Sequence, residues 1–499
     1  MENVTNHFVK FIFPFNFETD RNSKKNGFEC LIKELDGFTL NVKNLKIGDF
    51  ESVKAWQPIP VEGISEYYLP HIASFLSDDT INNYLVRRLL NPRLMKVLFC
   101  LNEQKVPFIM TGKDPKTKFN IEEVSLYLFQ SGIGYLMLEV KTINASPFEL
   151  AGLNYALHYY NHQSAKIRFT EFTLHEMAMP GFQTKASTGI ETEPAVPGIF
   201  LQLKQFEISG NTVLPSGQID FGKIFTGILD FAVFPSNTYK PLLNKNFLVF
   251  TYLCLNCEED KDHSEIIFQL RKVVKDSYLP HPDDLSGKNG GVIQTYKNIT
   301  FGVSLEGAVI FVEDNGHPFF RQLIDNVRKG YFLIYLIALH NRLALLNFGV
   351  ELGNAIPNRG ISLDQEFSKS IRKIRNKTIS FYMNAYFAQL TNNTVFERVY
   401  AFYNENFHTG SLMEEIKKKT WELDEMISND LEMKSNQLLR NLTILGFIVA
   451  PVSVVLAFFG TNIDYNGSQL LFSISLVIIF SVSILLLFAG IIYWVKKKP

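Results

Sequence analysis

Two long apolar segments near the C-terminal end constrain this chain most. Residues 438–459 and 470–495 are both rich in Leu, Ile, Val and Phe. As a helix, a segment of about 22 residues spans about 33 Å, which matches the hydrocarbon core of a bilayer. The second segment is longer and must tilt or protrude. Because everything before them has the composition of a folded body, the sequence predicts a membrane protein whose bulk lies on one side of the bilayer.

The charges around these segments predict their orientation. Lys434 and Arg440 flank the start of the first segment, and the short tail 496–499 begins with three lysines. The loop between the segments, 460–469, contains no Lys or Arg and a single acid, Asp464. The positive-inside rule then places both termini in the cytoplasm. We expect a multi-pass protein of the cell's inner (cytoplasmic) membrane.

Residues 1–317 are predicted to form a cytoplasmic mixed α/β domain, so the fold class is α+β. Phenylalanines at 8, 11, 13, 15 and 17 nearly alternate, which indicates a half-buried strand. Further strands are predicted in residues 124–140 (two strands around a Gly-containing turn), 167–174, 247–255 and 308–312. A helix is predicted at 81–90. Gly- and Pro-rich stretches at 180–197 and 280–291 indicate loops.

Residues 318–410 are predicted to form a cytoplasmic helical pair, with one long helix at 319–352 and another at 363–404. The apolar run 331–339 resembles a membrane span, but it is too short, because His340, Asn341 and Arg342 interrupt it. We interpret this helix as buried in the protein.

Residues 411–437 are predicted to form a stalk helix that continues into the first apolar segment. Ser411 followed by Glu414 matches a capping box. Apolar positions then recur at steps of three and four, which is typical of a coiled-coil seam: Met413, Ile416, Thr420, Leu423, Ile427 and Leu431. The seam predicts an oligomer. The alternative is a stalk that packs only against its own chain.

A stripe of small residues runs along the first apolar segment. Its members recur every three or four residues: Gly446, Ala450, Ser453, Ala457 and Gly460. In lipid, such a stripe either packs against a neighbouring helix or lines a pore. The residues alone leave both readings open.

The end of this segment carries a resemblance. Gly460-Thr461-Asn462, between two terminal spans and before a Lys-rich tail, resembles the Gly-Met-Asn signature of the CorA family of divalent-cation channels. The resemblance extends without a gap over residues 436–462. It implies a funnel-shaped homopentamer in the lipid bilayer, with transmembrane helix 1 (438–459) lining the pore and transmembrane helix 2 (470–495) forming an outer ring.

The resemblance also implies roles for individual residues. The external loop 460–469 would hold the filter, where Asn462 binds a hydrated Mg²⁺-type cation in its second shell, beside Gly460 and Thr461. Leu442 would form the hydrophobic gate and Asn436 a polar ring at the cytoplasmic end. Gly446, Ala450, Ser453 and Ala457 would line the pore. No covalent cofactor is expected, and the divalent cation is the transported ion.

Departures from the family leave an alternative open. Thr461 replaces Met in the signature, the loop has one acid, and more than 400 residues precede the spans. These features resemble the CorA-like membrane effectors of type III CRISPR systems. That resemblance would imply antiviral defence, with a small nucleotide ligand, an S-adenosylmethionine–AMP conjugate, opening the channel. The ligand-binding residues are unknown.

Other chemistry is sparse in the sequence. The net charge of −1 gives no basic surface for direct nucleic-acid binding. Cys254 and Cys257 have metal-ligand spacing without a second pair. There is no P-loop, Rossmann fingerprint or nucleophile elbow. We therefore expect that the protein is not an enzyme. A membrane-tethered enzyme is the third and least favoured hypothesis.

Overall fold

The chain divides into two compact units. The computed structural model describes residues 3–18, 27–44, 50–59, 64–76, 84–98, 108–110, 117–158, 166–169, 172–173, 176–179, 213–214, 217–233, 239–243, 246–256, 262–356, 365–460, 475–476, 478–482, 484–486 and 488–490. The body comprises Met1–Glu351 and Asn376–Ile416, and the helical unit comprises Leu352–Arg375 and Lys417–Pro499. The predicted loop at 180–197 lies outside the described residues.

A large mixed sheet dominates the body. The strands are β1 (Asn3–Phe17), β2 (Thr39–Asn44), β3 (Phe50–Lys54), β4 (Trp56–Pro58), β5 (Leu85–Leu90), β6 (Phe108–Met110), β7 (Lys118–Phe129), β8 (Ile133–Thr142), β9 (Lys166–Phe169), β10 (Phe172–Thr173), β11 (Glu176–Met179), β12 (Val213–Leu214), β13 (Gly217–Asp220), β14 (Tyr239–Pro241), β15 (Leu248–Asn256), β16 (Val292–Tyr296), β17 (Ile299–Val303) and β18 (Gly307–Asp314). The strands predicted at 124–140, 247–255 and 308–312 are confirmed.

The main sheet has the order β13-β9-β6-β7-β8-β1-β15-β18-β17-β16, with β14 beside β1, and β4 joined through β5 to β7. Strands β15 and β18 pair in parallel. The pairs that β1 makes with β8 and with β15 are antiparallel. Smaller groups are β11-β2-β3 and β10-β12. The strand β1 therefore lies in the middle of the body.

Both faces of β1 are buried, which corrects the prediction of a half-buried strand. Phe11 packs on Phe221 on one face, with ring centroids 5.1 Å apart. Phe8 points to the other face, where its ring stacks on that of Tyr252 at 5.5 Å. The near-alternation of phenylalanines conceals this, because the intervening positions, including Ile12 and Lys10, are buried too.

Helices of the body cover both faces of the sheet, and further helices form the helical unit. The helices are α1 (Gly27–Gly37), α2 (Ile64–Tyr67), α3 (Pro70–Leu76), α4 (Pro92–Leu98), α5 (Pro147–His158), α6 (Phe221–Ile228), α7 (Ser264–Lys272), α8 (Pro282–Leu285), α9 (Pro318–Asn326), α10 (Phe332–Ala355), α11 (Gln365–Asn384), α12 (Thr394–Asn406), α13 (Thr409–Gly460) and the apolar α14 (Ile478–Gly490). Two π-helical turns, Leu229–Val233 and Val327–Tyr331, follow α6 and α9.

The long apolar helix after the sheet is part of the body's core. Within the described part of the chain, the continuous stretch Pro318–Ala355 is long and apolar enough to cross a membrane, but 78% of its most apolar window is buried. Its Phe332 and Tyr335 rings pack on Phe250 of β15, at 5.0 and 5.1 Å. His340 stacks on Phe129 of β7 at 3.8 Å. The interpretation of this segment as a buried helix agrees with the structure.

Two predicted helices are wrong in part. Residues 85–90 form β5 rather than a helix, because they pair with β7 in the register Leu85 opposite Phe129. The helix predicted at 363–404 is interrupted: α11 ends at Asn384, and α12 starts after Asn393, whose side chain accepts hydrogen bonds from the backbone N–H groups of Val395 and Phe396.

Two buried histidines predict that the free energy of unfolding falls with acid. Burial, aided by Lys141, lowers the pKa of His7 to about 4, and burial lowers the pKa of His340 to about 3. The unfolded chain, with histidine pKa values near 6.5, binds more protons than the folded chain between about pH 6.5 and pH 4. Each histidine should therefore remove up to about 1.4 kcal/mol of stability per pH unit as the pH falls through this window.

Thermal unfolding at a series of pH values tests this. A His7→Gln variant should have a shallower dependence of melting temperature on pH than wild type. Equal slopes for wild type and His7→Gln would contradict the assignment.

Candidate pore helix

The helix α13 links the body to the C-terminal apolar region without a break. It spans Thr409–Gly460, 52 residues. The turn before it is made by His408, whose φ of 54° lies in the left-handed region and ends α12. The Thr409 hydroxyl donates to the Asn404 side-chain oxygen at 2.9 Å. The predicted capping box is wrong, because Ser411 lies inside the first turn: the Leu412 N–H already donates to the His408 carbonyl.

The lower part of α13 is covered by its own chain. Met413, Ile416, Thr420, Leu423 and Ile427 of the predicted seam are all buried, whereas Leu431 is 46% exposed. Within the helical unit, Asp424 beside this seam forms an ion pair with Arg375 of α11 at 2.6 Å. Residues 413–427 are therefore covered within the chain, as the alternative of a self-packed stalk expects, and the oligomer stays a prediction.

Beyond Leu431, α13 remains apolar, but its leucine side chains are exposed. Leu438, Leu442 and Leu445 are 64%, 62% and 58% exposed. Leu431, Leu438 and Leu445 are spaced by seven residues and so continue the face that is buried lower down. A row of leucines open to water is unfavourable, and each gains about 1.5–3 kcal/mol on full burial. This part of the helix requires lipid or another chain around it.

The predicted pore-lining residues share one face of α13. At about 100° per residue, Leu442, Gly446, Ala450, Ser453, Ala457 and Gly460 fall within an arc of about 80°. Asn436 lies about 40° beyond this arc. Asn436, Leu442, Gly446, Ala450, Ser453 and Ala457 are all exposed in the single chain. The structure thus places the predicted pore-lining residues between 436 and 457 on one exposed side of the helix.

Two hydroxyls in the C-terminal part of α13 are bonded to the backbone of the helix itself. The Ser453 hydroxyl donates to the Val449 carbonyl at 3.0 Å, and the Thr443 hydroxyl donates to the Leu439 carbonyl at 2.8 Å. Such bonds satisfy the donors without water, as an apolar environment demands. The oxygen of Ser453 keeps lone pairs that can face a cation.

The second apolar helix returns alongside α13. A Cβ atom built on Gly490 of α14 would lie 3.8 Å from the Cβ of Phe447. This distance places Gly490 of α14 beside Phe447 of α13. Phe447 follows Gly446 and so points about 100° away from it. On the helical wheel, Phe447 lies about 60° beyond Ala450, at the edge of the small-residue face, and about 20° from Asn436.

The predicted filter lies mostly outside the described residues. Gly460 is the last residue of α13, whereas Thr461, Asn462 and the remainder of the loop 460–469 are outside the described part. The role of Asn462 stays a prediction. Cys254 is buried in β15, and its predicted partner Cys257 also lies outside the described residues. Among the residues that are described, no three or more His, Cys, Asp or Glu side chains are grouped to hold a metal ion.

Sequence reasoning missed a buried ionic network in the body. Lys10 of β1 lies opposite Glu139 of β8, and its Nζ is 2.7 Å from the Glu139 carboxylate and 3.5 Å from that of Glu123. Arg328, in the π-helical turn before α10, donates to the other oxygen of Glu139. Burial alone would raise the pKa of Glu139, but Lys10 and Arg328 lower it below its usual value. The signal was a lysine within an apolar strand.

Comparison with known proteins adds little. No protein-family model matches the chain, and no curated protein matches it. Among solved structures, the chain is similar to the CorA magnesium transporter from Methanocaldococcus jannaschii, at 13% sequence identity. The similarity covers 53% of this chain and 96% of that one, with a TM-score of 0.22. At this TM-score the likeness carries no argument.

Proposed function

We propose that this protein is an oligomeric membrane channel for divalent cations of the Mg²⁺ type, gated by its large body. The observation that carries the proposal is the uncovered C-terminal part of α13. There, apolar side chains and a face of small residues are exposed on a helix that is continuous with the body. Lipid and neighbouring copies would cover the leucines, and the small-residue face would line the pore. In this proposal the protein is not an enzyme.

The direction of α13 favours a cation. The last four carbonyl groups of a helix lack intrahelical partners, and its C-terminal end carries a partial negative charge. The C-terminal end of α13 is Gly460, where the predicted filter begins. A ring of such ends, with the side-chain carbonyl of Asn462 beyond them, presents oxygen to a hydrated cation and no formal positive charge.

The assembly follows the resemblance in sequence. A homopentamer would place five copies of the small-residue face around one axis, with α14 on the outside of the ring. Residues 438–459 and 470–495 would cross the inner membrane, with both termini in the cytoplasm. Opening by a nucleotide messenger in antiviral defence is the alternative from the sequence, and it shares this pore. The two differ in whether a nucleotide changes the flux of the wild-type protein.

Replacement of Asn462 tests the channel proposal. Asn462→Ala should abolish the flux of Mg²⁺ into proteoliposomes, because it removes the amide oxygen that is proposed to hold the hydrated cation at the filter. Asn466→Ala, in the same loop, is the matched control and should conduct normally. Native mass spectrometry should give the same oligomer for all three proteins. Equal flux through Asn462→Ala and wild type would remove Asn462 from the mechanism, and monomers throughout would count against the pore.

A further inference from the structure

A polar cavity lies in the body beside the turn from which α13 begins. Its volume is about 200 Å³. The end of α7, the glycine turn before β16, the loop between β17 and β18, and the α12–α13 turn form its wall. Pockets that hold drug-sized ligands measure about 300–1,000 Å³. A ligand of this cavity must therefore be small.

Arg271, at the end of α7, lines the cavity. The residue is 2% exposed. Its Nη2 donates to the Asp284 carbonyl at 3.0 Å and lies 3.6 Å from the Asp284 carboxylate. Its Nη1 donates to the Val303 carbonyl at 3.4 Å, whereas its Nε is buried and donates to no acceptor among the described residues. Burial lowers the pKa of Arg271 despite the nearby Asp284. The guanidinium is a costly buried charge whose donors are only partly used.

The glycine turn is shaped around this guanidinium. Gly291 has a φ of 82°, and a Cβ atom there would lie 2.6 Å from Nη1 of Arg271. Gly290, which lines the cavity, has a φ of 75°. Both positions favour glycine because of their backbone conformation, and at Gly291 a side chain would also displace the guanidinium. The backbone of Gly291 and the guanidinium of Arg271 therefore lie side by side in the wall of the cavity.

The wall of the cavity offers both hydrogen-bond donors and acceptors. Lys272, next to Arg271, is half-buried and forms no ion pair with any described residue. Asn406 adds an amide to the wall. Two carboxylates are also present. Asp284 is paired with Arg271, and Glu306 accepts a hydrogen bond from the Ser304 hydroxyl at 2.8 Å. Lys272 and Arg271 suit an anionic group, whereas Glu306 suits hydroxyl donors.

We propose that this cavity binds a small phosphorylated sugar, with its phosphate at Arg271 and Lys272 and its hydroxyls toward Glu306 and Asn406. A phosphate alone would leave the Glu306 carboxylate without a ligand donor, and a neutral sugar would leave Lys272 without a counter-charge. The site is separate from the proposed pore, since every wall residue belongs to the body. The ligand would contact His408, the residue that precedes α13.

Calorimetric titration of the full-length protein in detergent with ribose 5-phosphate tests the site. We expect saturable binding, weaker binding of inorganic phosphate, and none of ribose. Lys272→Gln should weaken the binding of ribose 5-phosphate about tenfold, as expected for one charge-assisted contact. Lys288→Gln is the matched control, because Lys288 is an exposed lysine in the glycine turn before β16 and does not line the cavity. Its affinity should equal that of wild type.

Three results would overturn the proposal. They are no binding of ribose 5-phosphate at millimolar concentration, equal binding of ribose, and equal affinities for the two lysine variants. Thermal melting of both variants at wild-type temperature would show that the fold is intact. A second variant, Asn406→Asp, adds a negative charge to the wall and should also weaken binding. Because binding is measured without flux, the result does not depend on the channel proposal.

Discussion

A Glu139→Gln variant is expected to lose about 3–5 kcal/mol of unfolding free energy, the cost typical of removing one partner from a buried ion pair. The side chains of Glu139 and Lys10 are 4% and 5% exposed, and their charged atoms are 2.7 Å apart. Glutamine keeps the size of the side chain but leaves the Lys10 ammonium without its main counter-charge. Arg328, whose side chain is 41% exposed, can turn toward water, so Lys10 should account for most of the loss.

Glu123→Gln is the matched control for this prediction. Glu123 faces the same ammonium, but at 3.5 Å and with its side chain 36% exposed, so its removal should cost no more than about 1 kcal/mol. Denaturant unfolding of the full-length protein, followed by near-ultraviolet circular dichroism, measures both. The double variant Lys10→Met/Glu139→Gln should lose less than the sum of the two single variants. Additive losses, or equal losses for the two glutamate variants, would contradict a dominant Lys10–Glu139 pair.

The central strands were predictable because their patterns are local. β7, β8, β15 and β18 are runs of apolar residues bounded by turns, and they lie where the sequence predicts them. The strand β5 was not predictable in this way. Its apolar residues at 85, 86, 89 and 90 also fit one face of a helix. The strand is stabilised by pairing with β7 and by the ion pair between Arg88 and Asp36 at 2.7 Å. Because β7 and Asp36 are both distant from β5 in sequence, the local pattern does not reveal these contacts.

One residue in the sequence, Asn393, indicates the interruption between α11 and α12. Asn393 precedes Thr394 and Val395, and a side chain of this type often caps a helix. The absence of Pro and Gly between 361 and 404 favoured a continuous helix instead. The N-cap hydrogen bonds from Val395 and Phe396 show that a cap can define a boundary without either residue.

The candidate pore helix was likewise predictable only in part. The periodicity of α13 predicts a continuous helix and a single face of small residues, and both are present. The sequence does not say which part of the apolar face is already covered. Met413 and Ile427 are buried by the chain itself, whereas Leu438 is open, although the spacing of all three is alike. Coverage depends on tertiary packing, which periodicity does not encode.

Leu442→Ser is expected to produce a channel that leaks without any ligand. Leu442 is 62% exposed and shares its face with Gly446 and Ser453. If copies of this face surround a pore, their leucines meet on the axis and exclude water in the closed state. A ring of serines is both wider and wettable, so the barrier to a hydrated cation should fall. The change lies on the helix surface, far in sequence from the body, and should leave unfolding of the body unaltered.

Ile444→Ser is the matched control for the gate. Ile444 is two residues further along α13, and so about 200° around the helix, on the side away from Leu442. Its replacement removes as much apolar surface without altering the proposed axis. We expect Mg²⁺ leak from proteoliposomes for Leu442→Ser alone. A Leu442→Ser channel as tight as wild type, or an equal leak through Ile444→Ser, would place the gate elsewhere.

The same variant separates the two functions that share the pore. If the protein is a transporter, Leu442→Ser should raise the uptake of divalent cations by cells, and no nucleotide should change wild-type flux. If it is an effector opened by a nucleotide messenger, Leu442→Ser should be toxic on expression alone, while wild type stays silent until the messenger is added. Growth and ion leak of both forms, with and without candidate nucleotides, therefore decide between them, because the variant bypasses the ligand and wild type does not.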